Sequence, residues 1–377
     1  MKKLSQIILI ILLAFTYIFS AQQKCDTLAG NTYHYTYIDT AAPLSIHIVE
    51  VDLTNPNIEI VSRIAHSKIF GRQTTSQMAQ ELSKQQNVLA ATNADFFKKN
   101  GRPVGAQVIQ GQLVKRPFPR SVFGITKSGH PFIDIVDFKG NIFLNNNEIE
   151  INRINLAQKD DQLILYNRFR SDSVQDLDFD CQVAARYINA PAINDTALLV
   201  IRDKWNTDSL AESIPSNEIL LSARNTGADL LKQNVTVEDT IKMLLSLPPI
   251  KNKIQELVGG TPSIINSGEV QIDYEKEDIP ESFSITRHPR TAIGFNQEGT
   301  KLFLFTVDGR QEGHSRGMSL PELANFMLKW GVYEGVNLDG GGSTTMFVND
   351  RIINSPSDST GERPVANALL ILHNNRN

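Results

Sequence analysis

The stretch Gly335–Pro356, GVNLDGGGSTTMFVNDRIINSP, decides how this chain is read. Val336 and Leu338 form the end of a buried strand, and Thr345 to Ile353 alternate like a hairpin that turns at Asn349-Asp350. Between them lies a nearly bare backbone: Asp339 at the mouth, then Gly340, Gly341 and Gly342, then Ser343 and Thr344. Consecutive glycines cost conformational entropy and contribute no packing. Something must therefore come close to this loop, and a phosphate or sugar lying against the amides, as in an anion nest, is the expectation.

Three more strand ends carry polar groups of the same kind. NADFF ends an apolar run with Asn93 and Asp95, and KLFLFTVDGR ends one with Asp308 and Arg310. RHPRTAIGF places Arg287, His288 and Arg290 just before a strand. If these ends converge with Asn337 and Asp339, they make an acidic cleft rimmed by guanidinium groups. Carboxylates suit a cationic sugar transition state and arginines suit a phosphate. The spacing therefore predicts that the strands around Asn93, Arg290, Asp308 and Asp339 share one mixed sheet system, with their polar ends on the same side.

The rest of the chain is mostly short strands. Residues 32 to 64 alternate as strands with a turn at TNPN, and GAQVIQGQLVK, FGITKSGHPFIDIV and GNIFLNNNEIEI read as hairpins. Two helices stand out. One starts at Thr74 or Thr75 and runs to about Gln86. The other is SLPELANFMLKWG, where Ser319 and Glu322 make a capping box, Pro321 lies in the first turn and Gly331 ends the helix. Its stripe of Leu320, Leu323, Phe326, Met327 and Trp330 reads as core. From about 150 to 250 the pattern is blander, with strand candidates at LLVIRDKW and IKMLLSL. The fold class expected is α+β: a mixed, strand-rich sheet system with a few packed helices in a single main domain.

Lys2 and Lys3 before the apolar run IILIILLAF, with Ser20-Ala21 behind it, read as an export signal over residues 1–21. The expected location is periplasmic or extracellular, with no stable membrane anchor once the signal is removed. The net charge of -4 speaks against a nucleic-acid surface. Cys25 and Cys181 leave one disulfide possible but not required.

The ordered motifs VGGTPSIINSGEV, RHPRTAIGF, FTVDGR, GMSLPELANFMLKWG, NLDGGGSTTM and GERPVANALLI span roughly residues 258 to 372. Together they closely resemble the phosphodiester glycosidase family, and NADFF extends the likeness to about residue 88. The resemblance implies a mixed α+β domain that hydrolyses the bond between a sugar's anomeric carbon and a phosphodiester. The chain then divides into the signal, N-terminal strands and helix over 22–87, and a glycosidase-like domain over 88–377 with a variable segment near 150–250. LILYNRFRSDSVQ and the Ala94-Asp95 pair depart from the family's pattern, which bears on substrate identity more than on reaction type.

Asp339, Asp308 and Asp95 are the candidate nucleophiles or bases. Asn93, Arg287, Arg290, Arg310, Asn337, Gly340, Gly341, Gly342, Ser343, Thr344, Glu362 and Arg363 are the candidate substrate contacts. A phosphate monoester leaves readily, since its conjugate acid has a pKa of about 6. No cofactor is then required, although a structural divalent cation is compatible with the sequence and no metal ligand is identified. The expected partner is a sugar-1-phosphodiester or phosphate-containing glycan. A metal-dependent phosphoesterase and a non-catalytic glycan-binding protein are the alternatives; the missing His-x-His or Asp-x-His spacing counts against the first.

Overall fold

The computed structural model describes residues 21–144, 147–171, 179–205, 214–272 and 274–374. Residues 1–20 of the expected export signal lie outside the described residues. The fold is mostly β, built from three open sheets and a closed barrel. An eight-stranded sheet has the order Ala21–Thr27, Thr32–Asp39, Leu44–Asp52, Lys301–Val307, Arg290–Phe295, Glu334–Asn337, Ser263–Asn266, Glu269–Val270. A five-stranded sheet runs Arg351–Ile352, Met346–Val348, Val88–Asn93, Asn367–His373, Ile58–Ile64. A second one runs Gln112–Lys115, Gln107–Ile109, Ile254–Gly259, Ser121–Thr126, Pro131–Ile135.

One core joins the three sheets. Val49, Leu304 and Val336 from the first, Leu89 and Leu369 from the second, and Phe123 and Val258 from the third pack together. The outer faces are covered by helices. Leu320–Leu328 lays Leu320, Leu323 and Met327 on Ile46, Ile48 and Phe305 of the large sheet. Thr75–Ser83 lays Met78, Ala79 and Leu82 on Val61, Ala91 and Leu370. Both helices begin with the capping box, Thr74 with Gln77 and Ser319 with Glu322, so four otherwise orphaned donors find acceptors. The turn at Asn349-Asp350 is there as well, with φ of 47° and 61°, the left-handed pair a two-residue hairpin requires.

Two expectations need correction. The large sheet is antiparallel at every described pair, and Asn93 belongs to the neighbouring five-stranded sheet. The site strands therefore come from two sheets sharing a core. The bland segment near 150–250 is also more ordered than its pattern suggested. Most of it forms the barrel of Lys139–Leu144, Asn147–Ile154, Leu163–Tyr166, Glu218–Ala223, Cys181–Tyr187, Asp195–Trp205 and Thr240–Ser246. LLVIRDKW and IKMLLSL are strands within it. Alternate residues such as Ile149 and Ile151, Leu163 and Leu165, Leu199 and Ile201 fill its interior. Cys181 is buried in that interior and Cys25 is exposed on an edge strand, and both are free thiols.

Candidate active site

Antiparallel pairing brings the polar strand ends together. Arg290 opens its strand opposite Val307, the residue before Asp308, and Ala292 lies opposite Asn337. Asp339 is tied to the NADFF segment twice: its amide donates to the Ala94 carbonyl (2.8 Å) and its carbonyl accepts from Asn93 Nδ2 (2.6 Å). Asn354 closes the group, since its Nδ2 donates both to Asp308 Oδ1 and to the Thr344 carbonyl, each at 3.1 Å.

The three candidate acids sit in different surroundings. Asp308 is 1% exposed, and its carboxylate is fully engaged by Asn354, the Ser355 amide (2.9 Å) and His314 Nε2 (2.9 Å). Asp95 is 2% exposed and accepts from the Gly105 amide (2.7 Å). Burial raises its pKa to about 7; the Lys115 ammonium opposes this and the Asp339 charge adds to it. Asp339 alone keeps an open face, although protein surrounds it densely enough that burial raises its pKa to about 6. Ser343 and Arg363 pull the other way. The Ser343 hydroxyl lies beside this carboxylate but outside hydrogen-bond geometry.

Asp95 and Asp339 thus bind protons more tightly folded than unfolded. The stability this contributes is present below the ordinary carboxylate pKa of about 4 and is lost as pH rises through about 6 and 7. A fold that keeps two such carboxylates near each other accepts that cost for a reason other than stability.

The glycines make room for protein groups. A Cβ on Gly340 would stand 2.6 Å from the Pro289 carbonyl oxygen. Gly341 has φ of 62° and lies under the Arg310 guanidinium, 3.2 Å from where its Cβ would be. Gly342 is overlaid by the Arg363 guanidinium. The amides of Gly341, Ser343 and Thr344 donate to the carbonyls of Pro289, Gly340 and Gly341. These three donors are thus engaged within the protein, and the cations near the loop are the arginines stacked on it.

The arginines divide into two kinds. Arg287 is exposed and forks onto Glu322 at the helix N-terminus, and these hydrogen bonds pull the Glu322 carboxyl down to about 2. Arg363 pairs with Asp358 (2.6 Å) while facing Asp339. Arg290 and Arg310 have no carboxylate partner among the described residues. Arg290 is 1% exposed, held only by the carbonyls of Met318 (3.0 Å), Phe283 (2.8 Å) and Thr286 (2.8 Å) and stacked over the Phe283 ring. Burial lowers its pKa to about 10, with Arg310 adding to the effect. A buried cation without a counter-charge is costly, and an anionic ligand would relieve it.

His288, to which sequence reasoning assigned no role, lies between these arginines. Its Nδ1 faces Arg310 Nη2 at 3.1 Å, so Nδ1 accepts and the proton belongs on Nε2. Burial, Arg290 and Arg310 all lower its pKa and keep it neutral. The flanking arginines in RHPR were the available signal. Lys115 was missed too: it is buried, with Nζ donating to the carbonyls of Val104 (2.6 Å), Gly105 (3.0 Å) and Arg116 (3.1 Å).

Several candidates prove to be joints of the scaffold. Asn93 is buried and accepts from Thr291 Oγ1 (2.9 Å) and the Thr345 amide (3.1 Å) while donating to Asp339. Glu362 caps the Thr75–Ser83 helix, accepting from the Ser76 amide (2.9 Å) and hydroxyl. Asn337 donates to the Thr261 carbonyl (2.7 Å), but its Oδ1 is buried without a partner. The hydroxyls of Ser343, Thr344 and Thr345 are likewise buried and unpartnered. Such orphans collected beside one open carboxylate mark a place for a polar ligand or water. Asn93→Ala is expected to cost about 2–4 kcal/mol, because it leaves buried donors unmatched, as measured by urea unfolding. An unchanged midpoint with a raised KM would instead make Asn93 a substrate contact.

Residues 191–372 match the family model described as phosphodiester glycosidase, which bears out the resemblance in the C-terminal motifs. That match begins inside the barrel and leaves Asn93 and Asp95 outside, although the structure hydrogen-bonds them to the matched part. Over 117 residues the chain is 37% identical to N-acetylglucosamine-1-phosphodiester alpha-N-acetylglucosaminidase of Bos taurus, and 36% identical to that of Homo sapiens. These alignments cover 29% of this chain and 22% of each relative. The crystal structure of a hypothetical protein from Synechocystis shares the fold, with a TM-score of 0.64 at 18% identity over 94% of this chain and 68% of that one.

Proposed function

We propose that the protein is a hydrolase that cleaves the anomeric C–O bond of a sugar-1-phosphodiester, releasing free sugar and a phosphate monoester. The observation that carries this reading is that Asp339, alone of the three candidate acids, has an open face; it faces Arg363 and heads a loop that Arg310 covers and that carries the unpartnered hydroxyls of Ser343 and Thr344. The family match to phosphodiester glycosidases supports it.

Asp339, as the anion, acts on the anomeric carbon as nucleophile or as base for water, where positive charge develops. Arg290 and Arg310 take the charge that gathers on the departing phosphate, with the neutral His288 donating from Nε2. Because the phosphate leaves as a stable anion, no strong general acid is needed. Asp308 positions His314 and the loop through Asn354. Asp95, held by the Gly105 amide and facing Lys115, shares the negative charge of the site with Asp339. The reading requires no cofactor. Export to the periplasm or the outside is part of the proposal and rests on the basic and apolar N-terminal run. Among the described residues, no helix is long and apolar enough to cross a membrane.

The test is hydrolysis of a panel of sugar-1-phosphodiesters as a function of pH. A single working carboxylate predicts kcat/KM rising with a midpoint near pH 6, the value to which Asp339 is raised. It then stays flat, since no group has to keep a proton. A fall above pH 7 would make Asp95 a working acid, and no turnover on any member would sink the reading.

A further inference from the structure

A second group of cations gathers around Lys115, which faces Asp95. The segment after Asp95 folds back on itself: the Lys98 amide donates to the Arg102 carbonyl (2.9 Å), and Phe97 bridges Pro103. This turn carries Arg102 toward the Gln112–Lys115 strand, whose next residue is Arg116. Arg116 is pinned from two sides, with Nη1 on the Asn152 carbonyl (2.6 Å) and its guanidinium 4.9 Å from the centre of the Phe138 ring. Arg153 follows Asn152 at a break in the barrel's strand register.

Among the described residues, none of Arg102, Arg116 and Arg153 has a carboxylate partner. The Nε atoms of Arg102 and Arg153 are buried without an acceptor. So is the hydroxyl of Tyr166, itself fully buried and facing Arg153. Among the described residues, the acid that acts on Lys115 is Asp95. Like charges held together in this way destabilise the fold unless an anion shares the site. The fork of a guanidinium fits the oxygens of a phosphate in particular.

We propose that Arg102, Arg116 and Arg153 form a subsite for a second phosphate of the substrate, next to Lys115 and Asp95. The inference rests on the hydrolase reading and narrows it: the substrate class becomes a glycan with repeated sugar-phosphate links. Lys115, between Asp95 and this subsite, joins the two fields. Burial, chiefly, lowers its pKa to about 8, and Arg102, Lys98 and Arg116 add to the effect.

Two substrates separate this from a general structural role: one with a single phosphodiester, and an oligomer with two. For Arg116→Gln and Arg153→Gln, kcat/KM on the oligomer is expected to fall about 10- to 100-fold, as for loss of a charge-assisted hydrogen bond. The same constant on the single phosphodiester should stay within about twofold, with the loss residing in KM. Equal losses on both substrates, or none on either, would overturn the proposal. If the wild-type protein cleaves neither, the hydrolase reading fails and calorimetry with tripolyphosphate decides the subsite alone. Binding by wild type that both variants lose supports it, and no binding, or binding unchanged in the variants, rejects it. Arg102→Gln serves as a third variant should either of the others fail to fold.

Discussion

Asp339→Asn is expected to lower kcat by ~10³-fold or more while leaving the fold intact, because the lost charge is needed most in the transition state. The backbone of Asp339, which carries the contacts to Ala94 and Asn93, is unchanged by the substitution. Its carboxylate is not held by a strong side-chain bond, and its raised pKa shows that the charge is a burden to the folded state. The amide should therefore be as stable as wild type below about pH 4 and more stable at pH 8, where Asp339 is ionised. Asp308→Asn should behave in the opposite sense, with a lower unfolding midpoint, since the Ser355 amide, Asn354 and His314 all converge on that carboxylate. Near-normal turnover by Asp339→Asn, with a large loss in Asp308→Asn that stability does not explain, would move the chemistry to Asp308.

The second large effect belongs to Arg290. Arg290→Lys keeps the charge but cannot satisfy the carbonyls of Met318, Phe283 and Thr286 while also presenting a fork to an anion. Its kcat/KM is expected to drop by ~10²-fold, with weaker inhibition by inorganic phosphate. Phosphate inhibition is the discriminating readout. A variant that loses stability but keeps wild-type phosphate inhibition would show that Arg290 only ties the 281–290 segment to Met318.

How much of this was legible follows from the range of each interaction. The capping boxes, the Asn349-Asp350 turn and the strand ends at Asn93, Asp308 and Asp339 depend on neighbours within a few residues, and each is found as read. The barrel as a closed unit was not legible: GNIFLNNNEIEI, LLVIRDKW and IKMLLSL read as strands, but the closure joins Lys139–Leu144 to Thr240–Ser246 across the whole segment. Among the site residues, sequence could place acids at strand ends but could not distinguish a saturated carboxylate from an open one. Asp308 meets Asn354 and Ser355, and Asp95 meets Gly105, through contacts set only by the tertiary fold. The glycine run was read as space for a ligand, and it is the arginines from two other loops that occupy it. Arg290 and Glu362 show the same limit: the residue types suggested a site, but only the partners tell an unpaired buried cation from a helix cap.

The central claim is that the bond broken is C1–O, with Asp339 facing the sugar and arginines facing the phosphate. Hydrolysis of a sugar-1-phosphodiester in ¹⁸O-labelled water tests it most directly. Attack at the anomeric carbon puts the label on the sugar's anomeric hydroxyl, read before ring-opening exchange, and none in the phosphate monoester. Attack at phosphorus, as by a metal-activated water, puts the label in the phosphate instead. The account predicts label on the sugar alone, with the rate largely unchanged by a chelator. Label in the phosphate, with activity abolished on chelation, would contradict it.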